Sequence, residues 1–349
     1  MKRVLILGVN GFIGSHLTDA ILRRTDWRVH GMDLGSDRVE PWLANKRFRF
    51  LEGDISIHRE WVEYHVRKSD VCLPLVAIAT PAAYVRTPMK VFELDFEENL
   101  RIVRLCRKHE TRVVFPSTSE VYGMCEDPEF DEEKSPLVCG PVTKSRWIYA
   151  CAKQLLDRVI VALGRDEGLR YTLFRPFNWI GPRLDSIHEA KEGSSRVVTQ
   201  FLGHLLRGEP ITLVDGGRQR RCFTHVDDGI DALLRILRND GGAADGRIFN
   251  VGNPANDRSI RELAQSMIGV LGEFDGYEIP AERARIVEQT SDAYYGPEYQ
   301  DIVHRVPSIR RAKEHLGWTP RIGFDEAIRR TIAAYVETPS PRILAKSDA

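Results

Sequence analysis

Three glycines at spacings of three, Gly8, Gly11 and Gly14, directly follow the apolar run Val4-Leu5-Ile6-Leu7 and constrain this chain more than any other feature. A strand that enters such a turn and leaves as a helix makes a tight bend, lets a ligand approach the backbone closely, and aims the first unpaired helix amides at it. That combination suits a pyrophosphate. With Phe12 and Ile13 inside the same turn, residues 8–14 are expected to hold a dinucleotide.

Asp33 closes the next apolar run, 19 positions beyond Gly14. A carboxylate there accepts hydrogen bonds from an adenosine ribose diol, and its charge favours NAD over NADP because a 2′-phosphate would meet a like charge. Arg38 lies close enough in sequence to soften that preference. Asp54, after Glu52-Gly53 at another strand end, suits either an adenine amine or the cap of a turn. Residues 77–81 supply small side chains where a cofactor could lie against backbone.

The rest of the first half repeats the same rhythm. Short apolar runs at 4–8, 27–33, 48–52, 71–76, 112–117 and 171–176 are expected strands, and 95–109 and 145–163 are expected helices among the segments between them. The class is α/β, with a parallel sheet covered by helices. After Pro176 the pattern changes to a turn-rich 178–183, a helix near 197–206 and a short strand at 211–213. A strand returns at 249–252, and helices are expected at 259–271 and 324–336.

Charge and cysteine use narrow the setting. Fifty Lys+Arg balance fifty Asp+Glu, without the basic excess of a dedicated nucleic-acid binder. The six cysteines are scattered without a close pair, as in a reduced compartment, and no apolar stretch approaches the ~20 residues that span a bilayer. A cytoplasmic protein without membrane insertion is expected. The ten histidines are dispersed, which predicts no metal site.

Chemistry is expected beyond the apolar run 113–116, where Ser117-Thr118-Ser119-Glu120-Val121-Tyr122-Gly123 places hydroxyls and a carboxylate at a strand's carboxyl end. Tyr149 and Lys153 are four apart in an expected helix and share a face. A carbinol passes hydride to a nicotinamide only as its hydroxyl loses a proton. Tyr149 is the candidate base, its phenolate favoured by Lys153, and Ser119 would orient the same hydroxyl.

These motifs, with Arg175-Pro176-Phe177-Asn178, the stretch from Gly217 to Phe223, and Gly317-Trp318-Thr319-Pro320, resemble the nucleotide-sugar members of the extended short-chain dehydrogenase/reductase family over nearly the whole chain. The resemblance implies an NAD-binding Rossmann-type parallel sheet with an interleaved, smaller substrate-binding region. Residues 1–180 would be mainly NAD-binding, 181–223 a substrate-region segment, 224–255 a return to the main domain, 256–337 mainly substrate-binding, and 338–349 a flexible tail.

Within that family, the 116–125 segment, the Gly140-Pro141-Val142 loop, Asn178-Trp179 and the stretch from His304 to Arg310 look like the UDP-glucuronic acid decarboxylase domain of bifunctional polymyxin-resistance enzymes. This implies NAD-dependent oxidation at C4 of UDP-glucuronic acid, then loss of CO2 from C5 to give UDP-4-keto-pentose and NADH. Ser119, Glu120, Tyr149, Lys153 and Arg305 align with functional residues. Arg305 would bind the uronate carboxylate and Glu120 would take part in proton delivery. Thr118 and Asn178 would position the sugar or diphosphate, and the guanidinium groups of Arg221 and Arg196 would meet the diphosphate.

Further expectations follow from the resemblance: a homodimer, a role in bacterial lipid A modification, and formyl transfer by a separate enzyme, since this chain carries no added formyltransferase-sized region. Rival readings remain open. A UDP-xylose synthase would reduce the keto intermediate internally. A 4,6-dehydratase would look like Asp-Glu after the Thr, where Ser119-Glu120 stands. A 4-epimerase needs no carboxylate grip, and a noncatalytic NAD-binding scaffold would not require Ser119, Tyr149 and Lys153 together.

Overall fold

The computed structural model describes residues 1–187 and 196–337; the tail expected at 338–349 lies outside them. Six strands, β1 (Arg3–Leu7), β2 (Arg28–Asp33), β3 (Phe48–Glu52), β4 (Val71–Pro74), β5 (Arg112–Pro116) and β6 (Tyr171–Pro176), build a sheet with the strand Arg247–Val251. All seven run parallel, in the order Arg247–Val251, β6, β5, β4, β1, β2, β3. The order reverses between β1 and β4, where a crevice opens beyond the carboxyl ends of the strands. The Rossmann-type α/β class expected from the sequence is the one observed.

The central strands β1, β4 and β5 are buried on both faces because, past the arginines that open β1 and β5, every position is apolar. In β1, Val4 and Ile6 pack into the large core that also holds Leu202, Leu213 and Leu263, whereas Leu5 and Leu7 point to the opposite core with Ile102, Val103, Leu156 and Ile160. Alternate side chains of one strand thereby anchor both helical layers. The first layer is continuous with the carboxyl-terminal region, so the cavity floor and its far wall share one core.

Helix boundaries differ from expectation where the site is built. The helix expected at 95–109 runs as α-helix only over Asn99–Lys108, and is preceded by a wide, i→i+5 turn at Glu93–Glu98. The helix expected at 145–163 starts as a tight 3₁₀ turn, Ser145–Trp147, continues as Ile148–Glu167 and stops at Gly168, whose φ of 72° only glycine adopts easily.

Beyond β6 the chain leaves the large sheet. Ile211–Val214 pairs in parallel with Ile286–Gln289, and Arg220–Cys222 pairs antiparallel with Asp257–Ser259. Between these segments the helix Val226–Arg238 returns to the main body and Arg247–Val251 adds to the sheet edge. Gly317-Trp318-Thr319-Pro320 clamps the two parts: Trp318 is fully enclosed and donates to Asp228 O at 3.0 Å, while the Asp228 carboxylate accepts from the backbone of Arg321 and Ile322.

Candidate active site

The first turn of the site is made by backbone. Gly8 has a φ of 85°, and a Cβ on Gly14 would stand 2.3 Å from Gly8 O and 2.8 Å from Val9 Cα, so the helix α1 (Phe12–Arg24) can press against the turn only with glycine there. No side chain caps α1 and no acidic residue lies in its first turn. Its leading amides are thus left for an anion. Asp33 is fixed by two backbone donors, Asn10 N at 2.8 Å and Leu34 N at 2.7 Å. Burial nonetheless raises its pKa, with those amides and Arg38 opposing the rise.

One cavity of about 510 Å³ extends from this turn across the strand ends. Gly8, Gly11, Phe12, Ile13, Gly14, Thr118, Ser119, Glu120, Tyr149, Lys153, Asn178, Arg196, Arg221 and Arg305 all line it. Residues as far apart in sequence as Gly8 and Arg305 therefore line one cavity. Asp33 and Asp54 are not part of that lining. Asp54 acts as a turn cap, its Oδ1 accepting from both the backbone N and the Oγ of Ser56 at 2.7 Å.

The end of the cavity that gathers hydroxyls and a carboxylate sits where β5 finishes. Thr118 caps the short 3₁₀ turn Ser119–Tyr122 by accepting from Glu120 N at 3.2 Å, which turns Ser119 and Glu120 into the cavity. Tyr149 is buried and stacks on Tyr84, the ring centroids 4.8 Å apart and the rings nearly parallel. Burial pushes its phenol well above the ordinary tyrosine range, Asp95 and Glu120 push the same way, and a hydrogen bond from Thr118 opposes them. Lys153 Nζ lies 5.8 Å from the Tyr149 ring, donates to Pro116 O at 3.2 Å, and faces Asp95 at 3.5 Å.

Glu120 stands between two guanidinium groups: Arg146 Nη1 is 2.8 Å from one oxygen and Arg305 Nη2 is 2.6 Å from the other. Although burial alone would raise its pKa, the two arginines hold the carboxyl at about 2. Both oxygens are engaged, so proton delivery from Glu120 requires one of these pairs to open. Arg305 Nε is enclosed and has no hydrogen-bond partner.

Three residues face the remaining length of the cavity. Asn178 adopts a φ of 41°, a conformation that asparagine tolerates better than most side chains, and its Nδ2 is buried without a partner. Arg196 lies over the Phe12 ring at 5.3 Å and pairs with Asp185 at 3.2 Å. Arg221 is more tightly held, donating to Arg220 O and Ile302 O at 2.7 Å and to Asp301 at 2.9 Å. A diphosphate reaching Arg221 would have to displace Asp301.

Arg146 and Asp95 are among the neighbours of the site that escaped sequence reasoning. Arg146 lies three positions before Tyr149, at the start of the same helix, and could have been suspected from that spacing. Asp95 heads the segment read as an ordinary helix, and nothing local announces the wide turn that carries it inward.

The glycine cradle, the uncapped helix and the anchored Asp33 fit a dinucleotide, and the chain belongs to the NAD dependent epimerase/dehydratase family, whose model matches residues 4–252. NAD is the cofactor of this family. Among solved structures, the chain is similar to the PbgP3 protein from Burkholderia pseudomallei, at 57% identity over 96% of each chain with a TM-score of 0.87. It is also similar to UDP-glucose 4-epimerase from Thermotoga maritima, at 25% identity over 96% of this chain and 99% of that one, TM-score 0.78. A UDP-glucuronic acid 4-epimerase from Bacillus cereus, in complex with UDP-glucuronic acid and NAD, shares the fold at 20% identity, 96% and 99% coverage and TM-score 0.78. Among the described residues, no helix is long and apolar enough to cross a membrane, and no group of three or more His, Cys, Asp or Glu is placed to hold a metal ion.

Proposed function

We propose that this member of the family catalyses oxidative decarboxylation of UDP-glucuronic acid to UDP-4-keto-pentose and CO2, with reduction of NAD. The observation that carries the reading is the Arg146–Glu120–Arg305 cluster in the cavity that also holds Ser119, Tyr149 and Lys153. Two cations around one anion leave a net positive charge beside the proposed base. A hexuronate carries its carboxylate on the carbon next to the one to be oxidised, and Arg305 lines the cavity with a guanidinium suited to meet it.

Residues Gly8, Gly11, Phe12, Ile13 and Gly14 would hold the cofactor's pyrophosphate and Asp33 its ribose. Bound NAD supplies the hydride acceptor. Tyr149 takes the C4 hydroxyl proton, Ser119 orients that hydroxyl and Lys153 favours the phenolate. The C4 carbonyl then accepts the electron pair left when the C5–carboxylate bond breaks, and the resulting enolate takes up one proton at C5. Atoms balance: the hydroxyl proton released equals the proton gained, and the hydride appears in NADH. Asn178, Thr118, Arg196 and, after exchange with Asp301, Arg221 would hold the sugar diphosphate.

In this reading residues 1–180 and 224–255 form the cofactor half, and 181–223 with 256–337 the substrate half, of a cytoplasmic homodimer. Formyl transfer would fall to a separate enzyme in lipid A modification. The test is incubation of the purified protein with UDP-glucuronate and NAD, measuring CO2, NADH, UDP-4-keto-pentose and UDP-xylose. CO2 with stoichiometric NADH and UDP-4-keto-pentose is expected. UDP-xylose without net NADH marks internal reduction, and absence of CO2 overturns decarboxylation.

A further inference from the structure

A buried carboxylate stands behind the Tyr149–Lys153 pair. Asp95 is completely enclosed, Lys153 is 1% exposed, and the Asp95 Oδ1 to Lys153 Nζ distance is 3.5 Å. The wide turn Glu93–Glu98 carries Asp95 inward, and Asn99 secures that turn by donating to Leu94 O at 2.8 Å and Val76 O at 3.1 Å. The other Asp95 oxygen accepts from Ile78 N at 2.9 Å. Ala77 and Ala79, on either side of Ile78, line the cavity. One side chain thus ties the cavity wall to the lysine.

An enclosed carboxylate is tolerated only with a counter-charge, and among the described residues the ion pair of Asp95 is with Lys153. Burial raises the pKa of Asp95, while Lys153 and the Ile78 amide oppose that. The charged and titratable groups facing Tyr149 are Asp95 from the wide turn, Glu120 from the turn after β5, Arg196 at the head of the helix Val197–Arg207, Lys153 on the helix of Tyr149 itself, and Tyr84 stacked on its ring. Two of these are carboxylates. Glu120 is balanced by Arg146 and Arg305, whereas Asp95 shares the very cation that the tyrosine would use.

We propose that Asp95 is a positioning residue: it holds Lys153 against the cavity wall and keeps Tyr149 a neutral phenol in the ligand-free protein. The inference rests on the reading of Tyr149 as the base. A negative charge nearby disfavours phenolate, so removing it lowers the pH at which Tyr149 ionises.

Asp95→Asn keeps a carbonyl acceptor for Ile78 N and deletes the charge. The acidic limb of the pH profile of kcat/KM, read by NADH absorbance, is expected to move down by about one pH unit, and Asp95→Glu to restore it. A folded Asp95→Asn protein whose limb is unmoved or shifts upward overturns the proposal. The assay uses whichever UDP-sugar the wild-type protein oxidises, so a lack of CO2 from UDP-glucuronate counts against decarboxylation alone. Should Asp95→Asn fail to fold or turn over, ultraviolet difference titration of the ligand-free wild-type protein against Tyr149→Phe decides. No Tyr149 phenolate band is expected below about pH 10, the ordinary tyrosine value, and such a band near neutrality overturns the proposal.

Discussion

Arg305 and Glu120 meet at 2.6 Å inside the cavity, 185 positions apart in the chain, and Arg146 closes the other side of the carboxylate. Arg305 is expected to exchange part of this contact for a substrate carboxylate. Arg305→Ala should therefore lower kcat/KM for UDP-glucuronate by about 10²-fold or more, the usual cost of truncating a buried charge partner, and should change the affinity for UDP-glucose, whose hexose lacks the carboxylate, far less. Steady-state kinetics and calorimetric titration of the two sugars separate these effects. Unchanged UDP-glucuronate kinetics would remove Arg305 from carboxylate handling.

Tyr149→Phe deletes one hydroxyl while leaving the ring stacked on Tyr84. Its thermal melt and its binding of UDP-sugar should stay close to wild type, and turnover should fall by about 10²–10⁴-fold, the range for a lost general base. Single-turnover NADH formation reads the chemical step directly. A variant that forms NADH at the wild-type rate would rule out Tyr149 as the base.

How far the sequence carried this picture depends on the range of the interactions involved. Gly8, Gly11, Gly14 and Asp33 were legible because strand, turn and helix are adjacent in the chain, and the turn requirement at Gly14 is local. Tyr149 and Lys153 were legible because a helix fixes their spacing. Asp95 was not, since the wide turn that points it at Lys153 is held by Asn99 reaching Val76 O, a contact with no short-range signature. The grip of Asp301 on Arg221 was equally hidden: eighty residues separate them, and a run of arginines in sequence does not reveal which guanidinium is already paired.

The glycine cradle can be tested separately from the chemistry. Gly14→Ala puts a methyl group where Gly8 O and Val9 Cα already lie at 2.3 and 2.8 Å, and backbone rather than a flexible side chain must yield. A stability loss of about 1–3 kcal/mol is expected for such overpacking, together with an NAD dissociation constant raised at least about tenfold as α1 is pushed off the turn. Urea unfolding and titration of cofactor fluorescence measure the two. Wild-type cofactor affinity in this variant would show that α1 does not set the pyrophosphate site.

Glu132 offers a pH test remote from catalysis. It is 6% exposed; Oε1 accepts from Asn250 N at 2.8 Å, and Oε2 is enclosed without a hydrogen-bond partner. The same Asn250 accepts from Tyr122 OH, which accepts from Arg175, and Arg175 pairs with Asp157, the acceptor of Ser117 Oγ. Burial is the main reason its pKa rises to about 7, with Asp131 reinforcing and Arg311 opposing. A raised acid binds its proton more tightly folded than unfolded. Its contribution is therefore fully present below the ordinary glutamate value, declines as pH climbs toward about 7, and is lost above that. Glu132→Gln cannot ionise and should be more stable than wild type near pH 8 by on the order of 2 kcal/mol, the linkage gain less the cost of enclosing an amide NH2. Near pH 4 the gain should vanish. Urea midpoints at the two pH values check this, and an equal difference at both would mean that Glu132 titrates in the folded protein as it does in the unfolded chain.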